Sequence, residues 1–182
     1  MHIFVAGATG AIGRELLPML AGHVVTGMTR SRADLVRSLG AAPIVADIYD
    51  RDRTLAVVAA ALPDVVVHLL TDLSARDFTA NARIRRVGTR HLLDAAKAAN
   101  ARRIVLESIS FSTSPEGARA VAEMEACVTE SGMETVVVRL ARLWGPGTWH
   151  ELPEPNAEFI HVRDAARLFF NAIIDGARDP SA

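Results

Sequence analysis

The sequence is short of the residues that build covalent or metal scaffolds. Cys127 is the only cysteine, so the chain forms no internal disulfide and no cysteine-based zinc cluster. It reads instead as a small buried apolar residue on a helix. The histidines stand singly, without ligand spacing, and no metal is expected. Tyr49 is the only tyrosine and Lys97 the only lysine, so any chemistry that pairs these residue types rests on those two. Aromatic residues make up 5% of a chain that is 50% hydrophobic, which leaves Ala, Val, Leu and Ile to form the core. Neither sign of charge dominates, with 20 Lys plus Arg against 21 Asp plus Glu. No global field recruits nucleic acid or an anionic membrane, and neither is an expected partner. No apolar run approaches the ~18 residues of a membrane span. The segment Met1-His2-Ile3-Phe4 lacks a signal peptide's basic start, so a cytoplasmic location is expected.

A chain of 182 residues suits one domain with a sizeable core, taken as residues 1–182. Short β-branched runs alternate with longer Ala- and Leu-rich segments. His2 to Ala6, Val24 to Met28, Pro43 to Ala46, Val65 to Leu69, Arg103 to Leu106 and Thr135 to Val138 read as strands. Helical spacing covers Gly13 to Leu20, Ala33 to Leu39, Asp52 to Leu62, Ala118 to Glu130 and Asp164 to Ile174. The longest helix spans Asn81 to Asn100 and buries Ile84, Gly88, Leu92, Ala95 and Ala99. Its arginines Arg83, Arg85, Arg86 and Arg90 read as a solvated outer face. Gly145 to Glu158, with Pro146, Pro153 and Pro155, reads as an irregular loop before a short strand from Phe159 to Val162. This alternation predicts an α/β, doubly wound parallel sheet with helices on both faces, for which the expected order is the usual 3-2-1-4-5-6, with a short seventh strand.

The first strand runs directly into Gly7-Ala8-Thr9-Gly10-Ala11-Ile12-Gly13 and then a helix. In that context a G-x-x-G-x-x-G loop acquires meaning. Gly7 permits the tight turn, Gly10 lets the backbone approach a pyrophosphate, and Gly13 lets the helix pack on the strand. The helix N-terminus offers free N–H groups and a positive dipole end to phosphates. At the end of the second strand, NAD sites usually place an acid on the ribose 2′-OH. Here stand Thr29, Arg30, Ser31 and Arg32, and an arginine suits a 2′-phosphate. NADP is therefore the preferred cofactor, with NAD as the alternative.

The loop resembles the fingerprint of extended and atypical short-chain dehydrogenase/reductases, the NAD-dependent epimerase/dehydratase superfamily. Further matches follow in order: Asp47 within Ala46-Asp47-Ile48, the strand Val65 to Leu69, Asn81 with Gly88-Thr89, Arg139 with Leu143-Trp144-Gly145-Pro146-Gly147, and Phe159 to Ala166. The resemblance implies that Asp47 and Ile48 meet the adenine, and that Leu69, Leu70 and Thr71 lie under the nicotinamide ribose. It also implies a Tyr-x-x-x-Lys pair on the helix after the fifth strand, whose positions fall on Gly117 and Val121. Neither side chain moves a proton, so that pair is absent from its usual place. Ser108 and Ser110 stand where the family holds substrate and are the candidate catalytic groups. His68 either faces the cofactor or is a hydrogen-bonded structural histidine. Only Thr148 to Glu158 separates the "GPG" turn from the strand after it, which implies a reduced substrate lobe over residues 145–182. Two functions remain open: an oxidoreductase of this group acting on a small molecule, and a catalytically silent redox sensor working through a protein partner. A homo-oligomer fits either.

Overall fold

The computed structural model describes residues 1–72, 78–154 and 158–176. Six strands form a parallel sheet: β1 (His2–Ala6), β2 (Val24–Thr29), β3 (Ala42–Val45), β4 (Val65–His68), β5 (Arg103–Ile109) and β6 (Glu134–Leu140). Their order is β3-β2-β1-β4-β5-β6, the order expected from the sequence. The central strand explains why such runs lack polar alternation. Ile3 and Val5 pack into one core and Phe4 and Ala6 into another, and all four are fully buried. A parallel strand covered on both faces has no side left for water.

The first core lies under α1 (Ala11–Met19) and α7 (Val162–Asp175), where Leu16 and Leu20 meet Phe169 and Ile173. α2 (Ala33–Ser38) adds Val36 to the same face. The opposite face is covered by α3 (Arg51–Ala61) and α5 (Thr89–Ala98), with Val57, Val58, Leu92 and Ala96. α6 (Pro115–Thr129) closes the sheet over β5, where Met124 and Val128 meet Ile104 and Leu106. Ser114 caps α6 by accepting from the Gly117 N–H, and Pro115 occupies its first turn. Cys127 is half-buried at the edge of this cluster, not fully enclosed.

Two departures from the sequence pattern matter. The long central helix is interrupted: α4 (Phe78–Arg83) passes into a π-helical turn from Ile84 to Gly88 before α5 begins. The short strand near the C-terminus, β8 (Phe159–His161), does not join the main sheet. It pairs in parallel with β7 (Arg142–Trp144) in a separate two-stranded sheet. Pro155 lies outside the described residues. Among those described, no helix is long and apolar enough to cross a membrane.

Arg103 ties the far end of the sheet together. Its guanidinium, 4% exposed, donates to Glu134 and to the carbonyls of Ala172 and Ile173 at the end of α7.

Candidate functional site

The loop after β1 is built by its glycines. Gly7 takes φ +93°, and a Cβ there would lie 2.6 Å from the Leu69 carbonyl oxygen. The Gly10 N–H donates to the Gly7 carbonyl at 3.0 Å, and the Ala8 N–H donates to Met28 at 3.3 Å. A Cβ on Gly13 would fall 2.5 Å from the Gly7 oxygen, so only glycine lets α1 start this close to β1. Gly10 differs. Its backbone is ordinary, and an added Cβ would meet only the Gly7 oxygen, at 3.3 Å. The space above it is open. No side chain caps α1, and its first turn carries no acid. A backbone cradle of this shape, with uncapped N–H groups at its rim, fits a pyrophosphate.

A cavity of about 670 Å³ extends from this cradle along the C-terminal edge of the sheet. Gly7, Thr9, Gly10 and Ala11 line its floor, Thr29 and Arg30 one flank, and Asp47, Ile48 and Tyr49 the end of that flank. Leu69, Leu70 and Thr71 carry it across the end of β4. Ile12 and Gly13, also expected at the cofactor, stay out of the cavity. Ile12 is packed in the core, and Gly13 serves the contact of helix with loop. Among the described residues Arg30 makes no ion pair, which leaves its guanidinium free at the rim.

Period two along β5 decides which side chains face the cavity beyond β4. Glu107 and Ile109 line it; Ser108 and Ser110 do not. The Ser108 hydroxyl is buried on the other face and donates to Glu125 Oε1 at 2.5 Å. Glu125 is held in turn by two bonds from Arg139. Ser108 is therefore part of a β5–α6–β6 tie and does not face this cavity. Gly117 does not line the cavity, and Val121 faces a smaller cleft beside Glu125 and Arg139.

His68 is fully enclosed. The Leu70 N–H donates to its Nδ1 at 3.2 Å, so Nε2 carries the proton and donates to Thr89 Oγ1 at 2.8 Å. Burial, with Arg85 nearby, pushes its pKa down to about 4, and it is neutral at pH 7. It is the structural histidine. Tyr49 lies at the cavity wall with the Arg83 guanidinium 4.2 Å over its ring. Burial still raises its hydroxyl pKa, the opposite of what an acid/base tyrosine needs. Lys97 is exposed in the last turn of α5.

Two groups that the sequence pattern had hidden line the cavity instead. Arg85, read as solvated, is 7% exposed and points inward from the π turn. Such turns reset the helical phase and recur at functional sites. Arg86 of the same face bridges Glu116 and Glu123 of α6, whereas Arg83 and Arg90 are exposed, as expected. Glu107 stands at the cavity wall with no hydrogen bond from any described residue. Burial pushes its pKa up to about 7, partly opposed by Arg85. A lone carboxylate after the apolar run Ile104-Val105-Leu106 was the signal available in the sequence.

A stability consequence follows from that shift. The folded state holds the Glu107 proton up to about 7, whereas an unfolded glutamate releases it near 4.5. Stability present below the lower value is lost as pH rises through the upper one. Glu107→Gln is therefore expected to stabilise the protein at pH 8 by on the order of 2 kcal/mol, discounted for the carboxyl's partial exposure. Urea unfolding across pH checks this: a gap between variant and parent that narrows with rising pH contradicts it.

The outer wall is aromatic. Phe78 meets Trp149 edge to face at 6.2 Å, and Arg142 lies 4.5 Å over Phe111. All four line the cavity.

Comparison with known proteins gives concordant matches. Residues 3–116 match the NAD dependent epimerase/dehydratase family. The chain is 38% identical over 215 residues to a 3-diazoavenalumate denitrifying reductase from a Streptomyces sp, covering 91% of this chain and 69% of that one. Among solved structures, the Bordetella bronchiseptica enzyme WbmH in complex with NAD+ superposes with TM-score 0.80 at 20% identity, over 96% of this chain and 72% of that one. The Thermus thermophilus UDP-glucose 4-epimerase complex with NAD gives 0.79 at 17%, over 96% and 75%. At such identities the likeness is one of fold.

Proposed function

The chain belongs to the NAD-dependent epimerase/dehydratase family, and on that premise we propose that it is an NADP-dependent reductase of a small organic molecule. The observation that carries this reading is the continuous cavity that begins at the phosphate cradle and runs past β5 to an aromatic wall. It runs on beyond the residues that would hold a dinucleotide, to Glu107 and the aromatic wall. The 38% identical relative is a reductase, which favours reduction over epimerisation. When bound, NADPH supplies a hydride. The glycine loop and the first turn of α1 would hold the pyrophosphate, Asp47 and Ile48 the adenosine end, and Leu69 to Thr71 the nicotinamide ribose. Arg30 would read the 2′-phosphate. A reductase of this kind fits a cavity with an ionisable wall better than a silent sensor does, since a sensor needs no group that titrates beside its ligand.

The choice of dinucleotide is testable at Arg30. Calorimetric titration should show tighter binding of NADP than NAD, and Arg30→Ala should cost NADP about 1.5–3 kcal/mol, the range for hydrogen bonds to charged groups. NAD affinity should barely move. An equal loss for both dinucleotides means that Arg30 does not read the phosphate. For the reaction itself, NADPH consumption is followed over a panel of carbonyl and diazo compounds, and a panel without turnover contradicts the reductase assignment.

A further inference from the structure

We propose that Glu107 is the group that gives up the proton accompanying hydride transfer in this cavity, with Arg85 as the residue that tunes it. The inference rests on the dinucleotide reading above and deepens it. Reduction of a carbonyl takes one hydride to carbon and one proton to oxygen. Reduction of a neutral diazo carbon takes one hydride and one proton to give C–H bonds and N₂. Either balance needs a proton source, and neither Gly117 nor Val121 can be one.

The geometry singles out Glu107. A dinucleotide fixed by its pyrophosphate at Gly10 and by adenosine at Asp47 must run its other end over the tips of β4 and β5, the usual ligand edge of an open parallel sheet. Glu107 faces the cavity from the C-terminal end of β5, one strand beyond Leu69. No described residue donates to its carboxyl, so its oxygens remain available to a ligand. Among the described residues, the charged and titratable groups on neighbouring elements are engaged elsewhere or face it as follows, with His150 at the outer wall paired to Glu154. Arg85 of the π turn faces it. His68 on β4 is neutral and turned to Thr89. Arg139 on β6 and Glu125 on α6 are locked together behind the strand. Arg142 on β7 lies over Phe111. Among the described residues, Arg85 is the charged group that acts on Glu107. A carboxyl that titrates near neutrality is suited both to giving a proton and to regaining it.

The test reads protons and needs no substrate. NADP+ brings a positive ring to the end of β5, which should favour the ionised carboxylate. Calorimetry at pH 7 in two buffers of different ionisation enthalpy should then show net proton release on binding, because Glu107 is pushed up to about 7 in the free protein. Running NAD+ alongside removes any contribution from the 2′-phosphate. Glu107→Gln, nearly isosteric, should bind both dinucleotides and lose the release. Arg85→Met should move the release to higher pH, because the cation now holds the Glu107 pKa down. Equal release by the Gln variant and the parent overturns the assignment, and so does an Arg85→Met profile that shifts to lower pH. If neither dinucleotide binds the unaltered protein, the dinucleotide reading falls first and takes this one with it.

Discussion

Gly10→Val should fold normally and lose dinucleotide binding by ~100-fold or more. That loss equals the removal of one or two charge-assisted hydrogen bonds of about 1.5–3 kcal/mol each. The reason it should fold is geometric. Gly10 has φ −71° and ψ 175°, which any residue adopts, and an added Cβ approaches only the Gly7 oxygen at 3.3 Å. The branches of valine would then project into the cradle that a pyrophosphate must enter. Gly13→Ala gives the contrasting result from three residues away. Its Cβ would sit 2.5 Å from the Gly7 oxygen and 2.6 Å from the Ala8 oxygen, both backbone atoms that cannot swing aside. α1 must retreat from β1, at about 1–3 kcal/mol or more of folding stability. Thermal unfolding and calorimetric titration of the two variants separate the roles. Parent-like affinity in Gly10→Val removes the cradle from the account.

The second large effect is expected far from the cavity. Arg103→Met should destabilise the fold by about 2–4 kcal/mol, because a buried ionic and hydrogen-bonded tie loses its donor. The lost guanidinium leaves Glu134 without its closest partner and the Ala172 and Ile173 carbonyls without a donor at 3.2 and 2.7 Å. Arg102 gives the control. It reaches the same Glu134 at 3.5 Å but is 57% exposed. An exposed pair contributes about 0–1 kcal/mol, so Arg102→Met should change little. Urea midpoints for the two variants decide it; a loss below about 1 kcal/mol for Arg103→Met would mean that the buried tie is dispensable.

Much of this protein follows from contiguous sequence. A strand that must be covered on both faces is apolar throughout, and His2 to Ala6 is such a run. A tight turn with φ +93° needs the glycine found at position 7. The six strands follow from alternation, and their order is the usual one for a doubly wound sheet. These features are local, because periodicity and backbone freedom are properties of neighbouring residues. What faces the far end of the cavity is not local. β5 presents Glu107 on one side and Ser108 on the other, and which side meets the cavity depends on where α6 and the π turn pack. The helical pattern placed Arg85 on a solvated face. In the structure it is buried in the π turn and lines the cavity, on the stripe it shares with the buried Thr89, Leu92 and Ala96. β8 has the composition of a seventh strand, yet it pairs with β7 in a separate sheet, since strand pairing is a choice among partners distant in the chain. The sequence by itself determined the strands, the helices between them and the glycine loop, because each is written in adjacent residues. Tertiary packing alone decided that Glu107 and Arg85 line the site and that Ser108 does not, because that choice depends on elements brought together only by folding.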